Sequence, residues 1–152
     1  MRALLAYEPE TGALRWRVSR GKARAGQVAG VLEGRGYVVL GLLGKRYYAH
    51  RIAFLLMTGE WPELVDHING DRKDNRWSNL RNADNALNQQ NQRTASRNNR
   101  LGVLGVRAFG GKFRSAICVD GKPKHLGTFA TPEEASAAYV AAKRQLHEGC
   151  TL

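Results

Sequence analysis

Asp66-His67 is followed at short intervals by Asn69, Asp71, Asn75, Asn79 and Asn88. A carboxylate beside a histidine, with side-chain amides that a hairpin and a short helix would gather, suits one hard metal ion and one neutral imidazole. That is equipment for hydrolysing a phosphodiester, which needs an activated water and a cation to absorb charge on the phosphate and leaving oxygen. A hard divalent ion such as magnesium prefers oxygen ligands and keeps several waters. Asp66 offers a carboxylate for it, and Asn88 an amide oxygen. His67, with an ordinary imidazole pKa of about 6.5, can take a proton from water near neutral pH. It must be oriented to do so, and an Asn on a paired strand would serve. Neighbours on a strand point to opposite faces, so Asp66 and His67 share one site only if the strand becomes irregular there.

The elements around these residues are legible in outline. Leu64 to Ile68 is expected to be a strand. Asn69-Gly70-Asp71 opens a polar loop to about Ser78, and Asn79-Leu80-Arg81 forms a brief second strand. A helix is expected from about Asn85 to Gln92, crowded with Asn and Gln, although Asn is a mediocre helix former. Upstream, Gly36 to Leu42 and Lys45 to Ala49 predict a hairpin turning near Gly44, and Arg51 to Thr58 a buried helix stopped by Gly59.

The C-terminal third carries the clearest local signals. Strands are expected over Gly105–Phe109, Lys112–Val119 and Lys124–Phe129, with Asp120-Gly121 as a hairpin turn. Thr131-Pro132-Glu133-Glu134 supplies an N-cap, a proline at the first helical position and a capping-box Glu. The helix continues with Ala135, Ala138, Tyr139, Ala142 and Leu146 as its apolar stripe. Along the middle strand Phe113, Ser115 and Ile117 should face this helix, and Lys112, Arg114, Ala116 and Cys118 the solvent.

The predicted class is therefore α+β. N-terminal β-hairpins and a ββα metal core (about 62–92) make up residues 1–92. Residues 93–102 are polar and basic and are expected to be a linker. Residues 103–152 form a three-stranded antiparallel sheet on one helix.

The 152 residues carry a net charge of +11. Residues 1–59 hold +7, residues 60–92 hold −2, residues 93–125 hold +7 and residues 126–152 hold −1. The acidic island coincides with the Asp66–Asn88 grouping, and basic segments flank it, as expected of a cation-loaded centre between phosphate-holding surfaces. No apolar run approaches the roughly 20 residues of a bilayer span. The N-terminus turns acidic too soon for a signal peptide. Cys118 and Cys150 make neither a metal-type pair nor a disulfide framework. A cytoplasmic, reducing setting and a polyanionic partner are the expectations.

The run from His50-Arg51 through Gly59-Glu60-Trp61-Pro62, Asp66-His67, Asn79 and Asn88 resembles the Asn-ended HNH nucleases encoded by phages and introns. The resemblance covers about residues 36–92. It implies His67 as general base, Asn79 as its orienter, and Asp66 and Asn88 as ligands of one divalent metal, magnesium or manganese. The cysteine pairs of zinc-bearing relatives are absent, so no structural zinc is expected. Separately, Gly105-Val106-Arg107, Gly111-Lys112-Phe113, Leu126-Gly127-Thr128-Phe129 and the helix that follows resemble the plant ethylene-response-factor (Apetala-type) DNA-binding domain, over about residues 101–149. There the sheet lies in the major groove, a placement in which strands reach base edges. This implies Arg107, Lys112 and Arg114 as the foremost DNA contacts, then Lys122 and His125, with Arg93, Arg97 and Arg100 added by the basic segment. Ala116 and Cys118 stand where the plant domains carry charged base-contacting residues, so their site preference does not transfer.

Together these imply a homing-type DNA endonuclease from a phage or mobile element, acting on double-stranded DNA in a bacterial cytoplasm as a monomer or homodimer. The alternatives are a non-catalytic DNA-binding regulator on an HNH scaffold and a nonspecific nuclease. An isolated Asp-His pair is more often a loop or capping pair, and only its spacing to Asn79 and Asn88 lifts it above that reading. His50 at a strand–helix junction reads as structural. His147 has no assigned role. Trp16, Trp61 and Trp77 read as core anchors, and Asp71 and Asp74 as loop-shaping residues.

Overall fold

A computed structural model describes residues 1–152, which divide into two compact units, Met1–Asn85 and Ala86–Leu152.

In the first unit β1 (Leu5–Glu8) pairs antiparallel with β2 (Ala13–Trp16). Strands β3 (Val31–Leu32), β4 (Val38–Leu42) and β5 (Lys45–Tyr48) form an antiparallel sheet with β4 in the centre. The β4–β5 turn, Leu43-Gly44, has positive φ at both residues (52° and 74°), the geometry that matches the twist of a two-residue hairpin. Helix α1 (Ala49–Thr58) follows directly. It ends where Gly59 adopts φ 89° and its N–H donates to the Leu55 carbonyl, a left-handed stop that glycine makes without strain. Ile52 of α1 enters a core with Leu5, Leu14, Leu40 and Leu42, while Ala53 enters a second cluster with Val65 and Leu80. One helix thus seats the N-terminal strands and the next hairpin, β6 (Val65–His67) with β7 (Leu80–Asn82).

Helix α2 (Asn85–Gln90) lies at the division between the units and is shorter than its Asn- and Gln-rich sequence suggested. In the second unit β8 (Val106–Phe109), β9 (Lys112–Val119) and β10 (Lys122–Phe129) form an antiparallel sheet with β9 central. Helix α3 (Pro132–Leu146) packs on it. Its capping box is complete: Thr131 Oγ1 accepts from the Glu134 N–H at 3.2 Å, and Glu134 Oε2 accepts from the Thr131 N–H at 3.3 Å. Along β9, Ser115 and Ile117 are buried and Lys112, Arg114, Ala116 and Cys118 are exposed, the alternation of a sheet covered on one face.

Two departures from the sequence reading have physical causes. Residues 93–102 bond within the second unit rather than spanning as a linker. Arg93 Nη2 donates to the Thr151 carbonyl at 2.7 Å, and Asn99 Nδ2 donates to the carbonyls of Val103 and Val106 at 2.7 and 3.1 Å. Here polar side chains tie the chain down through backbone groups, where composition alone registers only a lack of apolar residues. On α3 the buried positions are Ala135, as the stripe predicts, and Lys143, whereas Leu146 is exposed. The Lys143 ammonium donates to the Gln92 carbonyl and lies 5.9 Å from the Tyr139 ring. Burial lowers its pKa from the ordinary lysine value. No helix is long and apolar enough to cross a membrane.

Candidate active site

Strand β6 ends at His67, and there the chain turns: the Gly70 N–H donates to the His67 carbonyl and the Ile68 N–H to the Asn79 carbonyl. Asp66 and His67 are both buried. Asp66 lies opposite Arg81 in the β6–β7 register. The guanidinium meets its Oδ2 twice, from Nε at 3.0 Å and from Nη2 at 2.7 Å. Such a charge-assisted contact holds a buried carboxylate in one orientation.

The His67 ring is oriented by Asn75. His67 Nε2 lies 3.1 Å from Asn75 Oδ1. The amide is fixed from its other end, where Nδ2 donates to the Lys73 carbonyl at 3.2 Å. With an acceptor oxygen facing the ring, Nε2 carries the proton and Nδ1 keeps the lone pair. Burial lowers the His67 pKa from its ordinary 6.5, opposed by the Asn75 hydrogen bond and by Asp66, Asp71 and Asp74. The neutral, proton-accepting form therefore prevails at neutral pH.

Asn79 has a different place from the one expected of it. Its Oδ1 accepts from the Asn69 N–H at 2.8 Å, and its Nδ2 donates to the Asp74 carbonyl at 2.7 Å. It closes the loop between the two strands, the same loop that carries Asn75. Asp71 and Asp74 bond within the same loop. Asp71 Oδ1 accepts from the Lys73 N–H, and Asp74 accepts from Asn69 and Arg76. The Arg76 guanidinium lowers the Asp74 pKa to about 2.

The loop is braced by the first hairpin. Tyr7 Oη donates to the Asn75 carbonyl at 2.6 Å, and the Trp77 N–H donates to the Pro9 carbonyl at 2.9 Å. Gly12, at φ 76°, approaches so closely that a Cβ there would lie 2.4 Å from the Asn75 carbonyl carbon. Gly12→Ala is expected to push Asn75 off the imidazole and lower both melting temperature and cleavage rate. Thermal melts beside a cleavage assay check this, and an unchanged rate would show that the brace is unimportant.

His50 packs edge-on against His67 at 4.9 Å between centroids, and Tyr37 flanks it at 6.1 Å. Burial, then the neighbouring His67 and Arg51, lower the His50 pKa to about 3. Both rings are thus neutral in the folded chain at pH values where the unfolded chain protonates them. Stability is then full above about pH 6.5 and is lost as pH falls below it, by up to about 1.4 kcal/mol per histidine per pH unit. For His50 the loss runs down to about pH 3. Melting temperature is expected to fall between pH 7 and pH 5, and less steeply in His50→Phe. A flat profile over that range would contradict the buried, neutral pair.

Asn75 belongs to the grouping read from the sequence but had no role there, because nothing in a solvated Asp-, Arg- and Lys-rich loop marks one amide as buried. Asn75→Ala is expected to lower the cleavage rate on the order of 10-fold, as for other groups that orient a reacting residue. Asn75→Asp places a carboxylate against the imidazole, raises its pKa, and should move the acid limb of the pH–rate profile to higher pH. An unmoved limb would remove Asn75 from contact with the base.

Asn88 is an exposed residue of α2 in the second unit. On the sheet, Arg107 lies opposite Arg114, Phe109 opposite Lys112, and Ala116 opposite His125. Arg107, Lys112, Arg114 and His125 therefore share the face away from α3, all exposed. The Arg114 guanidinium lies 3.5 Å from the centroid of the Phe109 ring. Lys122 pairs with Val119, next to the Ile117–Lys124 pair on the opposite parity. The register does not bring it onto the face of Arg114. Arg97 and Arg100 are exposed in the turns before β8, while Arg93 is engaged by Thr151.

No group of three or more His, Cys, Asp and Glu side chains gathers to hold a metal. An ion at Asp66 would have few protein ligands and keep water in its shell. That donor chemistry fits a hard cation such as magnesium, which needs only one or two carboxylates.

Comparison with curated proteins gives no match, and comparison with solved structures gives none either. Residues 47–90, which run from the end of β5 through His67, Asn75 and Asn79 into α2, match the family model described as HNH endonuclease.

Proposed function

We propose that this protein is a homing-type HNH endonuclease that hydrolyses double-stranded DNA with one divalent metal, magnesium or manganese. The observation that carries the reading is His67: a buried imidazole whose Nε2 lies 3.1 Å from Asn75 Oδ1, one residue from a buried carboxylate, inside the segment that matches the HNH endonuclease model. His67 Nδ1 takes the proton of the attacking water. Asn75 holds the ring in the productive tautomer, and Asn79 holds the loop that carries Asn75. Asp66 is the metal-binding carboxylate, held in place by Arg81, and Asn88 is the second ligand by the sequence pattern. When bound, a divalent ion supplies charge stabilisation at the scissile phosphate and leaving oxygen.

The second unit is the DNA reader in this proposal, similar in plan to the ethylene-response-factor domain. The exposed face with Arg107, Lys112, Arg114 and His125 is supported by its charge and by the α3 brace behind it. Phosphate contacts from the basic residues position the chain, and base-edge contacts specify the site. Cleavage of duplex DNA with and without added magnesium tests the proposal. Sequencing the ends produced from a random-sequence library separates a homing enzyme from a nonspecific nuclease, since only the former concentrates its cuts at one motif.

A further inference from the structure

In the first unit an open cleft of about 320 Å³ is lined by Trp16, Arg20, Gly41, Gly44, Lys45 and Arg46. Gly44 is accounted for by the turn, where φ is 74°. Gly41 is not accounted for by anything internal. It sits inside β4, its φ is not in the left-handed region, and a Cβ built on it would meet nothing within 4 Å. The β4–β5 register runs unbroken from Val39↔Tyr48 to Leu42↔Lys45, so no bulge requires it either. Glycine inside a strand is destabilising relative to alanine. With turn, bulge and crowding removed, the remaining reason for such a residue is the close approach of a ligand to the backbone.

The charge around that bare backbone says which ligand. Arg46 is tied to Glu33 at 3.0 Å. Arg20 lies over the Trp16 ring at 6.0 Å, and neither Arg20 nor Lys45 is paired with a carboxylate. Residues 1–59 hold a net charge of +7. Two unpaired cations, an uncovered strand backbone and a half-buried indole as an apolar wall suit a sugar–phosphate chain, with phosphates on the cations and a deoxyribose against the ring.

We infer that this cleft grips the phosphate backbone of duplex DNA away from the scissile bond, with Arg20 and Lys45 as its cations and Gly41 as its open floor. It is a nucleic-acid contact separate from both the His67 site and the C-terminal sheet. The inference rests on the nuclease reading for its choice of DNA.

The test uses the full chain with two variants, Gly41→Thr and the double Arg20→Ala/Lys45→Ala, titrated against a 30-bp duplex across a salt series, with thermal melts of each. Threonine suits a strand, so Gly41→Thr should melt at or above the wild-type temperature yet bind about tenfold more weakly. The double variant should lower the logarithmic salt slope by roughly 0.9 for each lost phosphate contact. Wild-type affinity and slope in both variants would overturn the inference, and so would a wild-type chain that binds no duplex. Wild-type plasmid cleavage in magnesium is measured alongside. A chain that binds through the cleft but never cuts refutes the nuclease reading and leaves the cleft standing.

Discussion

His67→Ala is expected to reduce magnesium-dependent DNA cleavage on the order of 10²–10⁴-fold, the usual worth of a positioned acid–base residue, while DNA affinity stays within about twofold. The size follows from what the ring does. Its proton is held on Nε2 by an amide itself anchored to the Lys73 carbonyl, so the basic lone pair sits on Nδ1 without reorganisation. Burial keeps the ring neutral at pH 7. Alanine removes the base and also leaves Asn75 Oδ1 unpaired, which costs stability of about 1–3 kcal/mol. His67→Gln is the companion variant, because its amide still offers a donor to Asn75 but has no basic nitrogen. Both variants should bind and fail to cut, with His67→Gln nearer the wild type in melting temperature. Wild-type rates in either, with the fold intact, would take His67 out of the mechanism.

Arg107→Ala with Arg114→Ala is expected to weaken duplex binding on the order of 10²-fold, since each good arginine contact to a base edge contributes about 1–3 kcal/mol. The two residues are register partners on adjacent strands, so both stand on one face and can meet one stretch of DNA. The Arg114 guanidinium stacks on Phe109, an arrangement that reduces the rotamer freedom lost on binding. Binding isotherms across a salt series separate two contributions. Phosphate contacts lower the salt slope by roughly 0.9 each, whereas base contacts leave the slope and change the sequence preference. Lys122→Ala is the control, because its register position lies on the other parity of the sheet. If the double variant binds, responds to salt and selects sites as the wild type does, the sheet is not a DNA reader.

How much of this was legible in the sequence depended on the range of the forces involved. The β4–β5 hairpin, the Gly59 stop, the Asp120-Gly121 turn and the Thr131–Glu134 capping box follow from contacts within a few residues, and the structure has all four. The alternation along β9 was legible for the same reason, since one covered face imposes a period of two. The Asp66-His67 pair stood out by residue type, and its strand ends at His67. The orienting group did not stand out. Asn75 becomes a buried partner of the imidazole only because Tyr7, 68 residues earlier, and Gly12 close over its backbone. Arg81 was likewise missed as the partner of Asp66, because a two-residue uncertainty in strand ends hides a register pairing. Composition misled at residues 93–102, where Arg93 and Asn99 replace apolar burial with hydrogen bonds. It misled again at Lys143, whose buried ammonium is satisfied by the Gln92 carbonyl, 51 residues earlier.

In the proposed reaction the chain cuts DNA at a single metal-assisted site. Purified protein, stripped with a chelator, is incubated with supercoiled plasmid at pH 7.5, and magnesium is then restored. Plasmid should stay intact in chelator and convert to nicked or linear form on adding magnesium, with no conversion by His67→Ala. Plasmid that stays supercoiled in magnesium and in manganese, while the same preparation shifts duplex DNA in a binding gel, would contradict it. The chain would then be a DNA-binding regulator on an HNH scaffold.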